Sequence, residues 1–585
     1  MCGIVGYVGE RDPLEMCLSG LKQLEYRGYD SAGIAGICEG VLKSCKEAGK
    51  IVSLEKKVRL ENFHLELAIG HTRWATHGEP THRNAHPHFD RSGDLALVHN
   101  GIIENYESLK GLLEGVPFSS ETDSEVIVQL IGKFYKGDLL RAVQETTSLL
   151  KGSFAIAVIH KSHKEIVVAS HDCPLCIGFG AKETMIASDL NAFSSGIKHV
   201  VFLKNGETAR VWAGGLDAFE GTDPISKKRE PLESEFTIPS KGNFEHYLVK
   251  EIFEQDRTVQ RLLREPLQLD QKLLSAQNIW ILGCGTSAHA AALGALYFED
   301  FAHIGVNVEI ASEARYRNLR FGPDTLVIAI SQSGETADTI AAAREAKRKG
   351  CKILGICNVK NSTLSRESDH TLFLHAGPEI SVCSTKAFSA EVALLLLFIL
   401  QRAKGEAEQI LSEFGKIPSH IQQVLQKASA LRTLAKKYAH FEHFFFTGRR
   451  YMVPTCMEAA LKLKELSYVN ANGYPAGELK HGPIALISRQ FPVVAFCANR
   501  QTQEKLLSNL MEVKARGAPI LAFAPEDFPN IEAVADDVFW LPPTIDSLAP
   551  FSSTVASQLF AYFVAEERGC DIDQPRNLAK SVTVE

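Results

Sequence analysis

The spacing of hydrophobic and polar positions changes near the middle of the chain. Before residue 220, short apolar runs at 3–8, 95–99 and 153–159 lie between Gly, Asn and Asp residues, which is typical of strands. Helical spacing covers 124–133 and 138–150. This part of the sequence therefore predicts a sheet-dominated α+β domain.

Further along, strands alternate with long helical patterns. Apolar runs at 278–283, 325–330 and 352–357 predict buried strands, and helical spacing covers 288–298 and 336–349. Strand–helix–strand alternation is the pattern of βαβ units. We therefore expect a doubly wound parallel sheet in this region.

The second half contains an internal repeat. Residues 326–330 and 346–354 recur as 492–496 and 513–521. Such self-similarity predicts two copies of one structural unit. The Ser-rich turn that follows the strand in the first copy is replaced in the second by Cys497-Ala498-Asn499-Arg500. We expect only the first copy to keep a ligand-binding loop.

Composition excludes several classes of protein. The chain has 585 residues, 45% hydrophobic residues and a net charge of −7, which predicts several globular domains without a general attraction to nucleic acid. The longest apolar stretch, 392–400, is too short to span a membrane. The start lacks a basic region, so we expect no secretory signal. Thirteen scattered cysteines predict reduced thiols in a cytoplasmic protein.

Cys2 is a candidate nucleophile. Removal of Met1 would leave its thiol on the same residue as a free α-amine, which titrates near pH ~8 and can accept a proton at neutral pH. An N-terminal amine serving as the base for its own residue's nucleophile is an established arrangement. Position alone favours the simpler interpretation of Cys2 as a small buried hydrophobic residue.

Polar loops in the same domain support the catalytic interpretation. They comprise residues 26–33, 71–78 and 99–101, and all border predicted strands. Together with residues 2–6, these motifs resemble the class II, N-terminal-nucleophile glutamine amidotransferases over residues 2–220. The resemblance implies that the Cys2 thiolate attacks the side-chain amide of glutamine, releases ammonia, and is freed from its thioester by water.

The resemblance also assigns roles to the neighbours of Cys2. It implies an oxyanion hole from Asn100 and Gly101, whose neutral N–H donors suit acyl transfer. The implied glutamine-binding residues are Arg73, Thr76, His77 and Asp123, and Trp74 is the implied ammonia gate. From the residues alone, Arg73 also fits a surface ion pair, and Asp123 fits a helix N-cap.

Five histidines lie close together in this part of the sequence. They are His71, His77, His82, His86 and His88. Their spacing matches no standard ligand pattern for a metal ion, and no HExxH motif is present. We therefore expect no metal.

Residues 331–336 follow a predicted strand and open a helix. Three hydroxyl groups and a glycine at a helix N-terminus favour an anion site, although Ser and Thr also occur as ordinary N-caps. The segment lacks the lysine of a Walker P-loop. Residues 283–287 contain Gly-x-Gly without a third glycine, which is weak support for NAD. A phosphate is thus the favoured ligand, and we expect no cofactor.

Residues 283–287, 331–336 and 377–386 together resemble a sugar isomerase (SIS) domain. The resemblance implies sugar-phosphate contacts from Thr286, Ser287, Ser331, Gln332, Ser333, Thr336, Val382 and Ser384. The segments 461–468, 476–483 and 573–585 narrow the resemblance to the bacterial type of a family with one amidotransferase domain and two SIS domains. Members of that family use L-glutamine and D-fructose 6-phosphate to form glucosamine 6-phosphate, the first step of hexosamine synthesis.

Three catalytic residues of the sugar site follow from this resemblance. Glu465 is the implied base that moves a proton between C1 and C2, and Lys580 is the implied Schiff-base lysine. His481 is the implied acid/base for ring opening, supplied by the neighbouring subunit, so the resemblance implies a homodimer. We also expect Arg576 to lie beside Lys580 and depress the pKa of its amine.

The predicted organisation is an α+β amidotransferase domain followed by two doubly wound α/β SIS domains. The expected boundaries are 2–220 for the amidotransferase domain, 221–245 for a linker, 246–410 and 432–575 for the SIS domains, and 576–585 for a tail carrying Lys580. The alternatives are an amidotransferase with another sugar-phosphate acceptor and a non-catalytic sugar-phosphate regulator.

Overall fold

A computed structural model describes residues 2–61, 63–232, 240–265, 267, 269, 271–403, 405 and 407–583. The described chain forms two compact units: residues before 240 together with those after 580 form the first, and residues 240–580 form the second. None of the described helices is long and apolar enough to cross a membrane.

The first unit contains two antiparallel sheets. The described part of the larger sheet has the strand order Glu230–Pro231, His199–Phe202, Cys176–Phe179, Glu183–Ala187, Gly3–Gly9, Leu67–Arg73, Ser31–Cys38 and Val41–Ala48. The smaller sheet has the order Asp223–Ile225, Gly215–Glu220, Glu207–Trp212, Ile166–His171, Gly152–His160, Leu95–Ile103 and His88–Phe89. Inward side chains such as Ile4 and Val98 join the two sheets in one core.

Helices cover the outer faces of both sheets. Pro13–Gln23 and Ile51–Glu61 pack on the larger sheet, and Asp123–Phe134 and Leu139–Thr147 pack on the smaller one. Single helical turns occur at Glu25–Arg27, Tyr106–Lys110, Gly111–Leu113 and Leu190–Ala192. The result is a four-layer α–β–β–α domain, in agreement with the predicted α+β class.

The second unit contains two parallel sheets with the same strand order. In the described residues the first is ordered Asn307–Ile310, Asn278–Gly283, Thr325–Ile330, Lys352–Cys357 and His370–Phe373. The second is ordered Asn470–Pro475, His443–Gly448, Val493–Phe496, Ile520–Pro525 and Asp537–Leu541. In both, the second strand along the chain lies at the edge beside the first. This shared topology confirms the repeat that the sequence predicts.

The two repeats share a hydrophobic core. Its centre is formed by Lys386–Leu400, Met452–Ser467 and Ala549–Glu567. The other helices are Tyr247–Phe253, Gln255–Arg264, Gln271–Ser275, Thr286–Tyr297, Phe298–Ala302 (a π-helix), Ala311–Ala314, Ala337–Arg348, Thr363–Glu367, Ala407–Phe414, Ile417–Gln426, Ala428–Tyr438 and Gln503–Lys514. Short 3₁₀ turns lie at Glu478–His481, Pro483–Leu486, Arg500–Thr502 and Ile531–Ala533. A common core explains why both repeats belong to one compact unit.

The interval 221–245, predicted as a linker, is partly structured. Asp223–Ile225 pairs with Gly215–Glu220, and Glu230–Pro231 pairs with His199–Phe202. These residues extend the sheets of the first unit, so the free connection is shorter than predicted. Residues 233–239, which also fall in that interval, lie outside the described residues.

Candidate active sites

Cys2 lies at the start of a strand in the middle of the larger sheet. Gly3, the next residue, is paired with Thr72 on the neighbouring strand. This pairing places the Cys2 thiol against the main chain of Trp74, with Sγ 3.4 Å from the Trp74 nitrogen and 3.6 Å from its oxygen. The thiol is partly exposed. A substrate can therefore reach it from one side.

Asn100 reaches Cys2 from the other sheet. Its side-chain Nδ2 donates to the Cys2 carbonyl at 3.1 Å, and its Oδ1 lies 3.1 Å from His71 Nε2. Burial lowers the pKa of His71 to about 3, so the ring is neutral. Nε2 also faces the His99 carbonyl at 2.9 Å, and two acceptor oxygens require the proton on Nε2. His71 therefore fixes the Asn100 amide with its N–H₂ directed at Cys2.

Gly101 follows Asn100 in a conformation that favours glycine. Its φ is +128°, and a Cβ there would lie 2.0 Å from the Ser153 carbonyl oxygen. Asn100 thus contacts Cys2, and Gly101 is the next residue along the same strand.

Arg73 is a buried cation whose described hydrogen bonds go to main-chain carbonyls. Its guanidinium donates to the carbonyls of His77, Gly78 and Glu79. Burial lowers the pKa of Arg73, which shows the cost of keeping this charge from water. Because carbonyls do not neutralise it, Arg73 is suited to a carboxylate ligand. The surface ion pair considered from the sequence is wrong.

Asp123 is also buried and is not a helix N-cap. The cap of Asp123–Phe134 is Thr122, whose side chain accepts from the Glu125 nitrogen at 3.3 Å. Asp123 Oδ2 instead accepts from the Ile103 nitrogen at 2.8 Å. This bond ties the carboxylate to the strand that carries Asn100.

The remaining residues assigned to this pocket differ in burial. The Thr76 side chain is exposed, whereas Trp74 is partly buried against the core between the sheets. His77 meets the ring of Tyr106 edge to face, with 5.5 Å between centroids.

The histidine cluster is a packed layer of neutral rings. His86 stacks on His71 at 4.1 Å and meets His88 edge to face at 4.5 Å, and His99 Nδ1 lies 2.8 Å from Ser124 Oγ. Burial lowers the pKa of His71, His86, His88 and His99. Among the described residues, no group of His, Cys, Asp or Glu side chains is placed to hold a metal ion. His82 is exposed.

The Ser-rich turn of the second unit joins Thr325–Ile330 to Ala337–Arg348, as predicted. Ser331 Oγ lies 2.8 Å from Thr336 Oγ1 and accepts from the Gly334 nitrogen at 3.1 Å. Gly334 has φ +66°, and a Cβ there would lie 2.1 Å from Ser362 Oγ. Hydroxyl and N–H groups therefore converge at a helix N-terminus, which suits an anion.

A charged network connects the two repeats. Lys462 Nζ donates to Thr286 Oγ1 at 3.1 Å and pairs with Glu465 at 2.6 Å and Glu458 at 3.5 Å. Burial opposes the Lys462 charge, but the two carboxylates outweigh it and raise its pKa. Glu458 also accepts from Thr286 at 3.1 Å and pairs with His289 at 2.8 Å. Thr286 and Glu465 thus belong to one network.

Lys580 is anchored beside the first repeat. Its Nζ donates to the carboxylate of Glu379, which also accepts from Ser384 Oγ at 3.1 Å. The guanidinium of Arg576 is stacked 4.2 Å over the Tyr468 ring. The described charged partner of Lys580 is the Glu379 carboxylate, and the effect expected of Arg576 stays a prediction.

The other predicted sugar-site residues occupy distinct positions. The Val382 main-chain nitrogen donates to the Asp573 carbonyl at 3.1 Å, and Ser287 Oγ donates to Glu391 at 2.9 Å. The Gln332 carbonyl accepts from the Asn358 nitrogen at 2.9 Å, and Ser333 Oγ accepts from Glu335 at 3.2 Å. His481 ends a short helical turn with its side chain exposed.

Sequence reasoning missed several of these residues. Glu458 and Lys462 lie seven and three positions before Glu465 on one helix, so helical spacing alone places all three on one face. Glu379 and Glu391 each stand between apolar residues, and both are close along the chain to Ser384, which the sequence assigns to the sugar site. The role of His71 with Asn100 depends on a side-chain contact between strands of two different sheets, which no local sequence pattern shows.

Comparisons with known proteins agree with this arrangement. Residues 71–195 match the model of a glutamine amidotransferase domain, and 272–401 and 437–566 match the SIS domain. The chain is 44% identical to glutamine–fructose-6-phosphate aminotransferase [isomerizing] of Thermus thermophilus and 45% identical to that of Chlamydia caviae, with 100% of each chain covered. The C-terminal domain of glucosamine-fructose-6-phosphate aminotransferase from Francisella tularensis matches 58% of this chain and 100% of its own, with 37% identity and a TM-score of 0.55.

The fold and sites define an enzyme with an N-terminal glutamine amidotransferase domain and two SIS domains, which confirms the predicted fold class. The chain belongs to the glutamine–fructose-6-phosphate aminotransferase (isomerizing) family.

Proposed function

We propose that this enzyme converts L-glutamine and D-fructose 6-phosphate into L-glutamate and D-glucosamine 6-phosphate. The observation that carries the proposal is the buried Lys580–Glu379 pair beside Ser384, because it supplies an amine where a ketose phosphate would bind. The Cys2–Asn100 arrangement is suited to releasing ammonia from glutamine, the other substrate.

The first half of the reaction releases ammonia. The Cys2 thiolate attacks the side-chain carbonyl carbon of glutamine, while the Asn100 amide and the Gly101 N–H stabilise the oxyanion. Ammonia leaves, and water hydrolyses the thioester to glutamate and free thiol. Arg73 binds the α-carboxylate of glutamine, and Asp123 binds its α-ammonium. Thr76 and His77 line the pocket, and Trp74, which contacts the thiol through its main chain, gates the departure of ammonia.

The second half isomerises the sugar. The phosphate binds to the 331–336 turn, and the ring-opened ketone condenses with Lys580 to an imine and water. Ammonia displaces Lys580 from C2. Glu465 then moves a proton from C1 to C2, leaving an amine on C2 and an aldehyde at C1. The remaining contacts to sugar or phosphate come from Thr286, Ser287, Val382 and Ser384.

Ring opening requires an acid/base that we assign to His481 of a neighbouring copy. The exposed position of His481 in this chain supports that assignment, since a residue that acts on another subunit must face outward. We therefore propose a homodimer. We also propose a cytoplasmic location, which the free state of all thirteen cysteines supports.

An end-point assay tests the proposal. Purified enzyme is incubated with glutamine and fructose 6-phosphate, and glutamate and glucosamine 6-phosphate are quantified together. We expect equal yields, with both products lost in Cys2→Ala and only the amino sugar lost in Lys580→Met. Glutamate without amino sugar from the wild type would mean that fructose 6-phosphate is not the acceptor.

A further inference from the structure

Glu391 is a buried carboxyl that the proposed mechanism does not use. It lies in the helix Lys386–Leu400 and is 1% exposed. Its Oε1 accepts from Ser287 Oγ at 2.9 Å. Its Oε2 is equally buried and has no hydrogen-bond partner among the described residues. A buried carboxyl with one open oxygen beside a substrate-binding hydroxyl requires an explanation.

The groups that face Glu391 are mostly acidic. Burial has the largest effect and raises the pKa of Glu391 to about 8; Glu379 and Glu458 also raise this pKa, whereas the hydrogen bond from Ser287 and the charge of Lys580 lower it. The helices that pack on Lys386–Leu400 also carry His289, which is paired with Glu458, and Gln255, which accepts from Ser389. Glu391 is therefore protonated, and neutral, at neutral pH.

We propose that Glu391 is a proton-linked positioning residue of the sugar-phosphate site. In its protonated form it holds Ser287 in place, and its ionisation weakens the binding of the phosphate dianion. The physical reason is that a buried carboxylate near a dianion is poorly screened by water. This inference rests on the proposed function, which assigns Ser287 to the sugar phosphate.

The expected pH dependence has a definite sign. A bound dianion favours protonated Glu391 and so raises the pKa of this carboxyl above its value in the free enzyme. The affinity for the phosphate dianion is therefore highest below about pH 8 and falls as the pH rises through that value. If the dianion raises the pKa by about one unit, the dissociation constant increases by up to about tenfold. The phosphate itself ionises near pH ~6, well below this window.

Binding of a hexitol 6-phosphate to the full chain tests the inference. This probe has no carbonyl group and forms no imine with Lys580. We expect its dissociation constant to rise about tenfold between about pH 7 and pH 9.5 in the wild type and to stay low in Glu391→Gln. Glu413→Gln, the same change on the outer helix Ala407–Phe414, should follow the wild type. A parallel rise in wild type and Glu391→Gln, or none in either, would overturn the inference.

A second measurement needs no variant. Calorimetry at about pH 8.5 in two buffers of different ionisation enthalpy counts the protons taken up on binding. We expect about half a proton per hexitol 6-phosphate in the wild type. Tight binding without proton uptake would refute the role of Glu391 alone. Absence of binding at every pH, with glutaminase activity intact, would instead refute the proposed sugar-phosphate site.

Discussion

The Lys580 ammonium and the Glu379 carboxylate form an ion pair that is almost completely withdrawn from water, with side-chain exposures of 3% and 0%. Burial opposes the Glu379 charge, but Lys580 and the main-chain N–H groups of Thr385 and Ala387 outweigh it and lower its pKa. A lysine attacks a ketone as its neutral amine, and Glu379 is the proton acceptor in contact with Lys580.

Replacement of Glu379 should uncouple the two half-reactions. In Glu379→Gln the lysine loses its charged partner, so imine formation with fructose 6-phosphate should fall about 10²-fold, the scale of a lost acid–base group. Borohydride trapping followed by mass spectrometry measures the imine on Lys580. Glutaminase activity should remain. Glu367→Gln, which removes an exposed carboxylate paired with Arg344, is the matched control and should trap normally.

Asn100 and His71 should affect one catalytic step to different extents. Asn100→Ala removes an oxyanion donor and should lower kcat for glutamate formation by about 10²–10³-fold. His71→Leu leaves Asn100 in place but frees its amide to rotate, so we expect a smaller loss of about tenfold, mainly in kcat. His71→Gln retains a donor and should recover part of it. Equal kcat in His71→Leu and wild type would show that His71 does not orient Asn100.

Lys462 should be important for stability as well as activity. Its side chain is 1% exposed, and its removal leaves Glu465 without this cation and Glu458 with His289 as its remaining ion-pair partner. Breaking a buried pair in this way costs about 3–5 kcal/mol. Lys462→Met should therefore lower the urea midpoint of the second unit. Glu413→Gln provides the comparison for an exposed pair, and a Lys462→Met midpoint as high as that of this control contradicts the prediction.

The neutral histidine layer predicts loss of stability in acid. The folded-state pKa values of His71, His86, His88 and His99 lie below the unfolded value near ~6.5, so the unfolded chain binds more protons. The free energy of unfolding should be highest above about pH 6.5. Below that pH it should fall by about 1.4 kcal/mol per pH unit for each such histidine. Thermal unfolding of the first unit between about pH 7 and pH 5 measures this slope. His88→Gln should reduce it, and exposed His82→Gln should not.

Thiol reagents should distinguish Cys2 from the buried cysteines. Cys383 would make sugar binding thiol-sensitive if it were reachable, but it is buried and burial raises its pKa. Cys173 is likewise buried, and burial raises its pKa to about 12. Brief alkylation should therefore modify Cys2, abolish glutamate formation and spare Cys173 and Cys383, while Cys38, Cys284 and Cys570 are also partly exposed. Peptide mapping identifies the modified residue, and glutamine should protect it.

Short apolar runs and helical spacing predicted strands such as Gly3–Gly9 and Thr325–Ile330 and helices such as Asp123–Phe134, since these patterns reflect local burial. The repeat was also visible because both copies keep the strand, helix and strand in the same order. The linker is shorter than polarity predicts because Asp223–Ile225 and Glu230–Pro231 are polar edge strands, which pair with Gly215–Glu220 and His199–Phe202 respectively. Polarity alone does not separate an edge strand from a connection.

The sites were predictable to the extent that their residues form contiguous motifs. Ser331 and Thr336 are such a case. Glu379 and Lys580 are 201 positions apart, and no local sequence pattern predicts their contact. The same holds for His71 and Asn100, which lie on neighbouring strands of different sheets.

In the second parallel sheet, the turn that corresponds to the Ser-rich turn of the first contains an arginine that is already paired with carboxylates. Arg500, in the turn after Val493–Phe496, pairs with Asp527 at 2.6 Å and Asp546 at 3.2 Å. In the second repeat, an internal salt-bridge network thus occupies the turn that corresponds to the Ser-rich turn of the first. Restoring a phosphate site there by engineering would require removal of both aspartates, in addition to grafting the serines, because an incoming dianion would otherwise compete with carboxylates already in place.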